Sequence, residues 1–243
     1  MREPDVDLVL HNSDERGVHQ ICLNQPDAFN VLSSEAMHQL QEALDAIAQD
    51  EQARVVVISA KGRAFCAGHD LREMRASPSL AYYKTLFHQC SHMMMSVQRL
   101  PVPVMAVVDG IATAAGCQLV AMCDLAVASQ TSKFAVSGVN LGLFCATPSV
   151  ALSRNLSRKA AFDMLVTGDF IMAEQALVKG LVNAVLRKVS LIVQPPDGET
   201  RFPPDPIPMF VPPWWRANLK RNYSKAWQAI LFAQAKRAPL ILR

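Results

Sequence analysis

The chain has 243 residues, 51% of them hydrophobic, which is enough apolar material for one substantial core and excludes global disorder. A net charge of +3 and a pI near 8.6, with no dense Lys/Arg block before the C-terminal segment, argue against nucleic-acid binding. Six cysteines without a C-x-x-C pair exclude a disulfide or zinc scaffold and point to free thiols in a reducing compartment.

The opening residues Met1 to Asp7 are acidic and do not read as a targeting segment, so the expectation is a cytosolic protein or one whose longer leader has been lost. Residues Val6 to Leu23 alternate around the polar turn Asn12 to Gly17 and predict a hairpin. Ser33 and Ser34 supply an N-cap, and Met37, Leu40, Ala43, Leu44 and Ile47 form a helical stripe of about 16 residues. Arg54 to Ala60 is a β-branched run that predicts a buried strand, leaving through the glycine-bearing loop Lys61 to Asp70.

Val102 to Ala128 is the most apolar stretch. Pro103, Asp109, Gly110, Gly116, Gln118 and Asp124 interrupt it, so a strand, a turn and a helix to about Met122 explain it better than a membrane span. A strand from Leu125 to Ser129 and a helix from about Thr147 follow, with Arg154 and Arg158 expected at that helix's polar end. Strand, crossover and helix units recur without a short-period repeat.

Two strands thus end in two similar loops. A carbonyl that develops negative charge needs two convergent donors, and backbone N–H groups beside small residues or at a helix start supply them. The His69 amide, after Gly68, and the Ala115 amide, opening a helix, are the candidates, with Ala114, Ala115 and Gly116 allowing close approach. Tight helix packing explains the same small residues from spacing alone.

Two segments carry a resemblance. Cys66-Ala-Gly-His-Asp-Leu-Arg-Glu-Met74 resembles the crotonase A-G-x-D-[IL]-[KR]-E motif. Pro101 to Asp124 resembles the P-V-I-A-x-x-x-G-x-A-x-G-G-G-x-E-L-x-x-x-C-D signature of the same superfamily. Leu165 to Asp169 and Ala173 to Ala176 resemble its later T-G-x-x-x-x-A-x-x-A segment, so the likeness runs over about residues 5 to 187.

The resemblance implies an α/β fold with a crotonase-type ββα spiral core, binding coenzyme A thioesters without a metal or other cofactor. It implies a mitochondrial location, with the cytosol as the alternative, a link to fatty-acid metabolism, and a homotrimer or hexamer. Carried over by position, His69 and Ala115 match the two oxyanion-hole amides. Ala67, Gly68, Asp70, Leu71, Arg72 and Gly116 match residues along the ligand, and Arg63 matches a basic position near the nucleotide phosphate, where a solvated surface arginine is the equal alternative.

Hydration of an enoyl thioester needs one group to take a proton and another to give one. The resemblance places those two glutamates at Gln118 and Gly138. An amide does not exchange protons near neutral pH and glycine has no side chain, so efficient hydration is not expected. Asp124 and Asp109 read as local structure, Cys66 and Cys117 as small buried thiols, and Ser137 and Ser149 form no G-x-S-x-G elbow. The His69 imidazole is a candidate base for a different reaction, set against the reading that only the backbone of this residue matters.

From residue 188 the resemblance stops, dividing the chain into an acyl-CoA-binding domain over 1–187 and an atypical tail over 188–243. Eight of the 15 prolines fall between Pro195 and Pro213, a density that forbids regular helix or central strand. The resemblance implies that this tail stands in place of the helices that close the pocket and build the trimer in the superfamily. Val189-Ser190 after Lys188 is what an in-frame splice donor encodes, so a translated intron is the first explanation. A membrane or proline-recognition tail using Trp214, Trp215, Trp227, Lys220, Arg221 and Lys225 is the second.

Three functions follow: an acyl-CoA-binding protein without efficient hydratase activity; an active acyl-CoA isomerase or thioester hydrolase using another base; and a non-catalytic regulatory interaction module.

Overall fold

The computed structural model describes residues 7–76, 78–187 and 189. The expectations for the C-terminal tail lie outside the described residues.

Strands β1 (Val9–Ser13) and β2 (Val18–Leu23) form the expected antiparallel hairpin, Val9 opposite Leu23. Helix α1 (Ser34–Gln49) begins where Ser33 Oγ accepts the Ala36 N–H. It buries Met37, Leu40, Leu44 and Ile47 on one face, as the 3.6-residue stripe predicts. Strand β3 (Val55–Ala60) is followed at once by β4 (Ala64–Cys66), a short strand within what the sequence reads as loop. Helices α2 (Leu71–Ala76) and α3 (Leu80–Arg99) come next.

The pattern then repeats. Strands β5 (Val104–Val108) and β6 (Ile111–Thr113) lead into α4 (Ala115–Met122). Strands β7 (Leu125–Ser129) and β8 (Lys133–Ala135) lead through a 3₁₀ turn at Ser137–Leu141 into α5 (Ala146–Asn155). Helix α6 (Arg158–Thr167), strand β9 (Ile171–Met172), helix α7 (Ala173–Lys179) and strand β10 (Ala184–Leu186) complete the described chain.

Each strand–strand–helix unit adds one strand to each of two sheets. The first has the order β1-β2-β3-β5-β7-β10, parallel from β2 onward; the second has the order β4-β6-β8-β9. This is the spiral of ββα turns expected from the sequence. β5 is buried at every position, as a parallel strand covered on both faces requires.

Two expectations need correcting. Arg158 does not share a helix with Arg154: Leu156 ends α5, and Ser157 Oγ caps the N-terminus of α6. The strand expected from Val102 begins at Val104, because Pro103 has no N–H for the ladder and Val56 N–H bonds its carbonyl instead.

Asp124 acts as the local tie the sequence suggests. Its Oδ2 accepts the Val104 N–H at 2.8 Å while its own N–H donates to the Val104 carbonyl at 2.9 Å, pinning β5 to the start of β7.

Candidate functional site

The second sheet brings the two loops together. β4 and β6 are parallel neighbours, Cys66 pairing with Ala112, so the segments leaving their C-terminal ends emerge side by side. One is Ala67 to Asp70; the other turns through Ala114 into α4.

Contacts between these loops are close. A Cβ built on Gly68 would lie 3.2 Å from the Ala115 nitrogen and 2.9 Å from the Ala114 Cβ. Any side chain at residue 68 would therefore cover the Ala115 amide, and φ of +91° there is left-handed territory that favours glycine. Ala114 has φ 50° and ψ −120°, which a residue with a Cβ adopts only under strain; its N–H is held by the Ala135 carbonyl at 3.0 Å. This strained turn starts α4 abruptly at Ala115.

Two amides are left over. Leu32 and His69 form a parallel bridge in which Leu32 N–H donates to Gly68 and Asp70 N–H donates to Leu32, so the His69 N–H faces the opposite way. Ala115 is the first residue of α4, where the helix provides no acceptor. Among the described residues neither N–H has an acceptor. The positive end of α4 adds to the attraction for negative charge.

The other expected ligand residues hold different positions. Asp70 Oδ1 accepts the Arg72 N–H at 2.8 Å and the Glu73 N–H at 3.3 Å, capping α2, while Leu71 and Arg72 are exposed. Ala67 N–H is bound to the Phe29 carbonyl. The Arg63 guanidinium lies 4.4 Å from the Phe29 ring centroid on the surface. Gly116 faces the strand beneath it: a Cβ there would lie 2.1 Å from the Cys66 carbonyl oxygen, so glycine lets α4 sit on β4.

Gln118 and Gly138 are both buried. The Gln118 Oε1 has no hydrogen-bond partner among the described residues. A Cβ on Gly138 would lie 2.5 Å from the Leu143 carbonyl oxygen and 2.6 Å from the Cys145 Sγ, so the chain itself fills the space a side chain would take. The turn that returns Leu143 is tied by its N–H to the Gly138 carbonyl at 2.9 Å.

The His69 ring packs edge-on against Phe87 of α3, centroids 5.6 Å apart. Neither ring nitrogen makes a hydrogen bond within ordinary distance and angle among the described residues. Burial lowers its pKa, partly offset by the nearby Leu32 carbonyl and Glu73 carboxylate, which favours the neutral imidazole at pH 7. Burial pushes Cys66 and Cys117 up to about 12, which fits the structural thiols read from the sequence.

Gln118 also lines a cavity of about 170 Å³ between α3, α4 and α5, walled by Met94, Met95, Met122 and Val150 with Arg154 on its exposed side. The sequence reading missed the α3 wall. Ser79 as N-cap, followed by Leu86, Cys90, Met93, Met94 and Val97 at three- and four-residue steps, was the signal available for it. Among the described residues no cluster of three or more metal-ligating side chains occurs, and no helix is long and apolar enough to cross a membrane.

Paired parallel loops on a ββα spiral, each presenting an amide with no acceptor among the described residues, define a crotonase-type protein. The enoyl-CoA hydratase/isomerase family model matches residues 13–194, and the chain belongs to that family. It is 48% identical over 175 residues, 72% of this chain, to enoyl-CoA hydratase domain-containing protein 3, mitochondrial, of Danio rerio, and 46% identical to the Homo sapiens protein of the same name. The matches span 61% and 58% of those relatives, about three-fifths of their length.

Among solved structures, the human enoyl Coenzyme A hydratase domain-containing protein 3 is 44% identical with a TM-score of 0.72, the match covering 76% of this chain and 72% of that one. An enoyl-CoA hydratase of Mycobacterium smegmatis is 58% identical with a TM-score of 0.75, covering 79% and 73%.

Proposed function

We propose that this chain binds acyl-CoA thioesters, the carbonyl oxygen seated between the His69 and Ala115 amides, and does not hydrate enoyl-CoA efficiently. The observation that carries the binding half is the pair of N–H groups on adjacent loops that have no acceptor among the described residues, with Gly68 leaving the Ala115 amide uncovered. Two such donors stabilise a thioester oxygen as it gains charge, most strongly where water is excluded.

The second half rests on which residues stand at the two positions where the resemblance expects glutamates. Hydration adds water across a carbon–carbon double bond, so one group must take a proton from water and another must supply one to carbon. At Gln118 stands an amide, and at Gly138 the Leu143 carbonyl and Cys145 Sγ close the space toward which a side chain would project. Losing an acid–base group costs roughly 10²- to 10⁴-fold in rate. A mitochondrial location is supported by the names of the Danio rerio and human relatives, and a link to fatty-acid metabolism by the family.

Calorimetric titration of the full chain with butyryl-CoA and crotonyl-CoA, beside a crotonyl-CoA hydration assay, tests both halves. Binding without turnover is expected. Hydration at rates typical of enzymes, about 10 s⁻¹ or more, would refute the second half, and absence of binding would refute the first.

One observation favours a second reading, an isomerase or thioester hydrolase. The His69 imidazole belongs to a residue of the amide pair, makes no ring-nitrogen hydrogen bond among the described residues, and has its pKa lowered by burial. Acyl-CoA turnover that disappears in His69→Gln while binding persists is the result that supports it.

A further inference from the structure

Helix α2 continues the first amide-bearing loop, and little apolar burial holds it. It has six residues, none of them fully buried, and of these only Met74 packs against the core. A helix this short is not stable by itself in water, so its position depends on ties to its neighbours.

Those ties converge on Leu32 to Ser34, the residues that lead into α1. Leu32 N–H donates to the Gly68 carbonyl at 2.8 Å. Two residues further on, Ser34 N–H donates to Glu73 Oε2 at 2.9 Å and the Ser34 hydroxyl donates to Glu73 Oε1. The Ser34 carbonyl in turn accepts the Gln89 side-chain N–H at 2.8 Å, from the same helix whose Phe87 packs on the His69 ring. The loop from Gly68 to Glu73 is thus fastened to one short arm at both ends, by backbone at the first and by a carboxylate at the second.

The first tie decides where the His69 N–H points. In a trans peptide the C=O and N–H lie on opposite sides, so holding the Gly68 carbonyl to Leu32 turns the His69 N–H away from Leu32. Glycine at residue 68 leaves this peptide unit easy to rotate, because a residue without a Cβ is weakly restricted. Its orientation therefore rests on keeping arm and loop in register. Among the described residues, Glu73 supplies the one side chain of the loop that bonds the arm.

Resting on the acyl-thioester reading, we propose that Glu73 is a positioning residue: its carboxylate, gripped by Ser34, keeps the Gly68–His69 peptide turned so that the His69 N–H meets the thioester carbonyl. Glu73 touches no ligand and moves no proton. Without it α2 frays, Leu32 and Gly68 lose register, and the peptide rotates its N–H out of the site. The carbonyl is then left with the Ala115 amide alone.

Hydrogen exchange and isotope-edited infrared spectroscopy on the full chain, on Glu73→Ala and on Ser34→Ala test this. In Glu73→Ala the amides from Ala67 to Ala76 are expected to exchange about tenfold faster or more, while α1 and β5 keep wild-type protection and show that the variant is folded. Butyryl-CoA labelled at its carbonyl carbon shows a carbonyl band moved to lower wavenumber when bound to the wild type. In Glu73→Ala at saturating ligand the band moves back toward its position in water, and affinity falls about three- to tenfold, the effect of one hydrogen bond. Ser34→Ala keeps the bond from the Ser34 N–H and gives an intermediate band, so it decides the matter if Glu73→Ala does not fold. A wild-type band in the folded variants overturns the positioning role even where exchange is faster, since Glu73 then supports only the fold. A wild type that binds no butyryl-CoA, or binds it without moving the band, overturns the acyl-thioester reading and the role that rests on it.

Discussion

Gly116 of α4 rests against the carbonyl of Cys66 in β4: a Cβ added to it would lie 2.1 Å from that oxygen and 2.8 Å from the Cys66 Cβ. This contact sets how closely the second loop approaches the first. Gly116→Ala forces α4 away from β4 and is expected to lower stability by about 1–3 kcal/mol, the usual cost of overpacking. Butyryl-CoA affinity falls with it, because the Ala115 amide moves with the helix. Urea denaturation and calorimetry measure the two effects.

Ala114 gives the opposite sign. At φ 50° and ψ −120° its Cβ is strained, a cost on the order of 1–3 kcal/mol that glycine does not carry. Ala114→Gly loses a small contact with the surroundings of Gly68 and gains backbone freedom when unfolded. The net expectation is a gain of about 1 kcal/mol, read as a raised thermal midpoint.

Restoring carboxylates singly separates the two proposed positions. Gln118→Glu places an ionisable group at the cavity wall without a steric conflict at the backbone and is expected to leave the fold intact. Gly138→Glu drives a side chain into the Leu143 carbonyl and Cys145 Sγ, lowering stability by about 1–3 kcal/mol. The double variant is therefore expected to remain a poor hydratase in a crotonyl-CoA assay.

A pH dependence is built into β1 and β2. His11 Nε2 lies 3.0 Å from His19 Nδ1, whose ring is linked through Nε2 to the Asp50 carboxylate, also at 3.0 Å. Burial first and the neighbouring His19 second lower the His11 pKa below 6.5, and burial does the same to His69. A histidine with a lowered folded pKa binds protons less readily than the unfolded chain does, so stability rises with pH. The contribution is complete above pH 6.5 and is lost as pH falls through the folded values. Denaturation midpoints are expected to be lower at pH 5.5 than at pH 7.5, and His11→Asn with His69→Asn is expected to flatten the difference.

Thiol reactivity follows burial. Cys66, Cys90 and Cys117 are pushed up to about 12, and Cys123 is raised further, all by burial, whereas Cys22 is partly exposed. Iodoacetamide at pH 8 is expected to label Cys22 in the folded protein and the buried thiols only after denaturation, as mass spectrometry of the digested protein reports.

Much of this architecture was legible beforehand because it rests on local patterns. The α1 stripe, the all-apolar β5 and the hairpin through Asn12 to Gly17 state their own period and burial. The short strands β4, β6 and β8 were not legible: three residues carry no period, and they exist only because they pair with one another. Helix α3 was within reach through Ser79 and its apolar spacing.

The sequence alone determined the family motifs, the amides at His69 and Ala115 as candidates, and the amide and glycine at positions 118 and 138, since these are properties of residue identity and order. Only the tertiary structure decided that the two loops touch through Gly68 and Ala115, that Leu143 and Cys145 occupy the space beside Gly138, and that Gln118 lines a cavity with its oxygen unpaired among the described residues. Each of these is a contact between segments distant in the chain or set by a backbone turn, and no local pattern encodes which atoms a folded chain brings within 3 Å of one another.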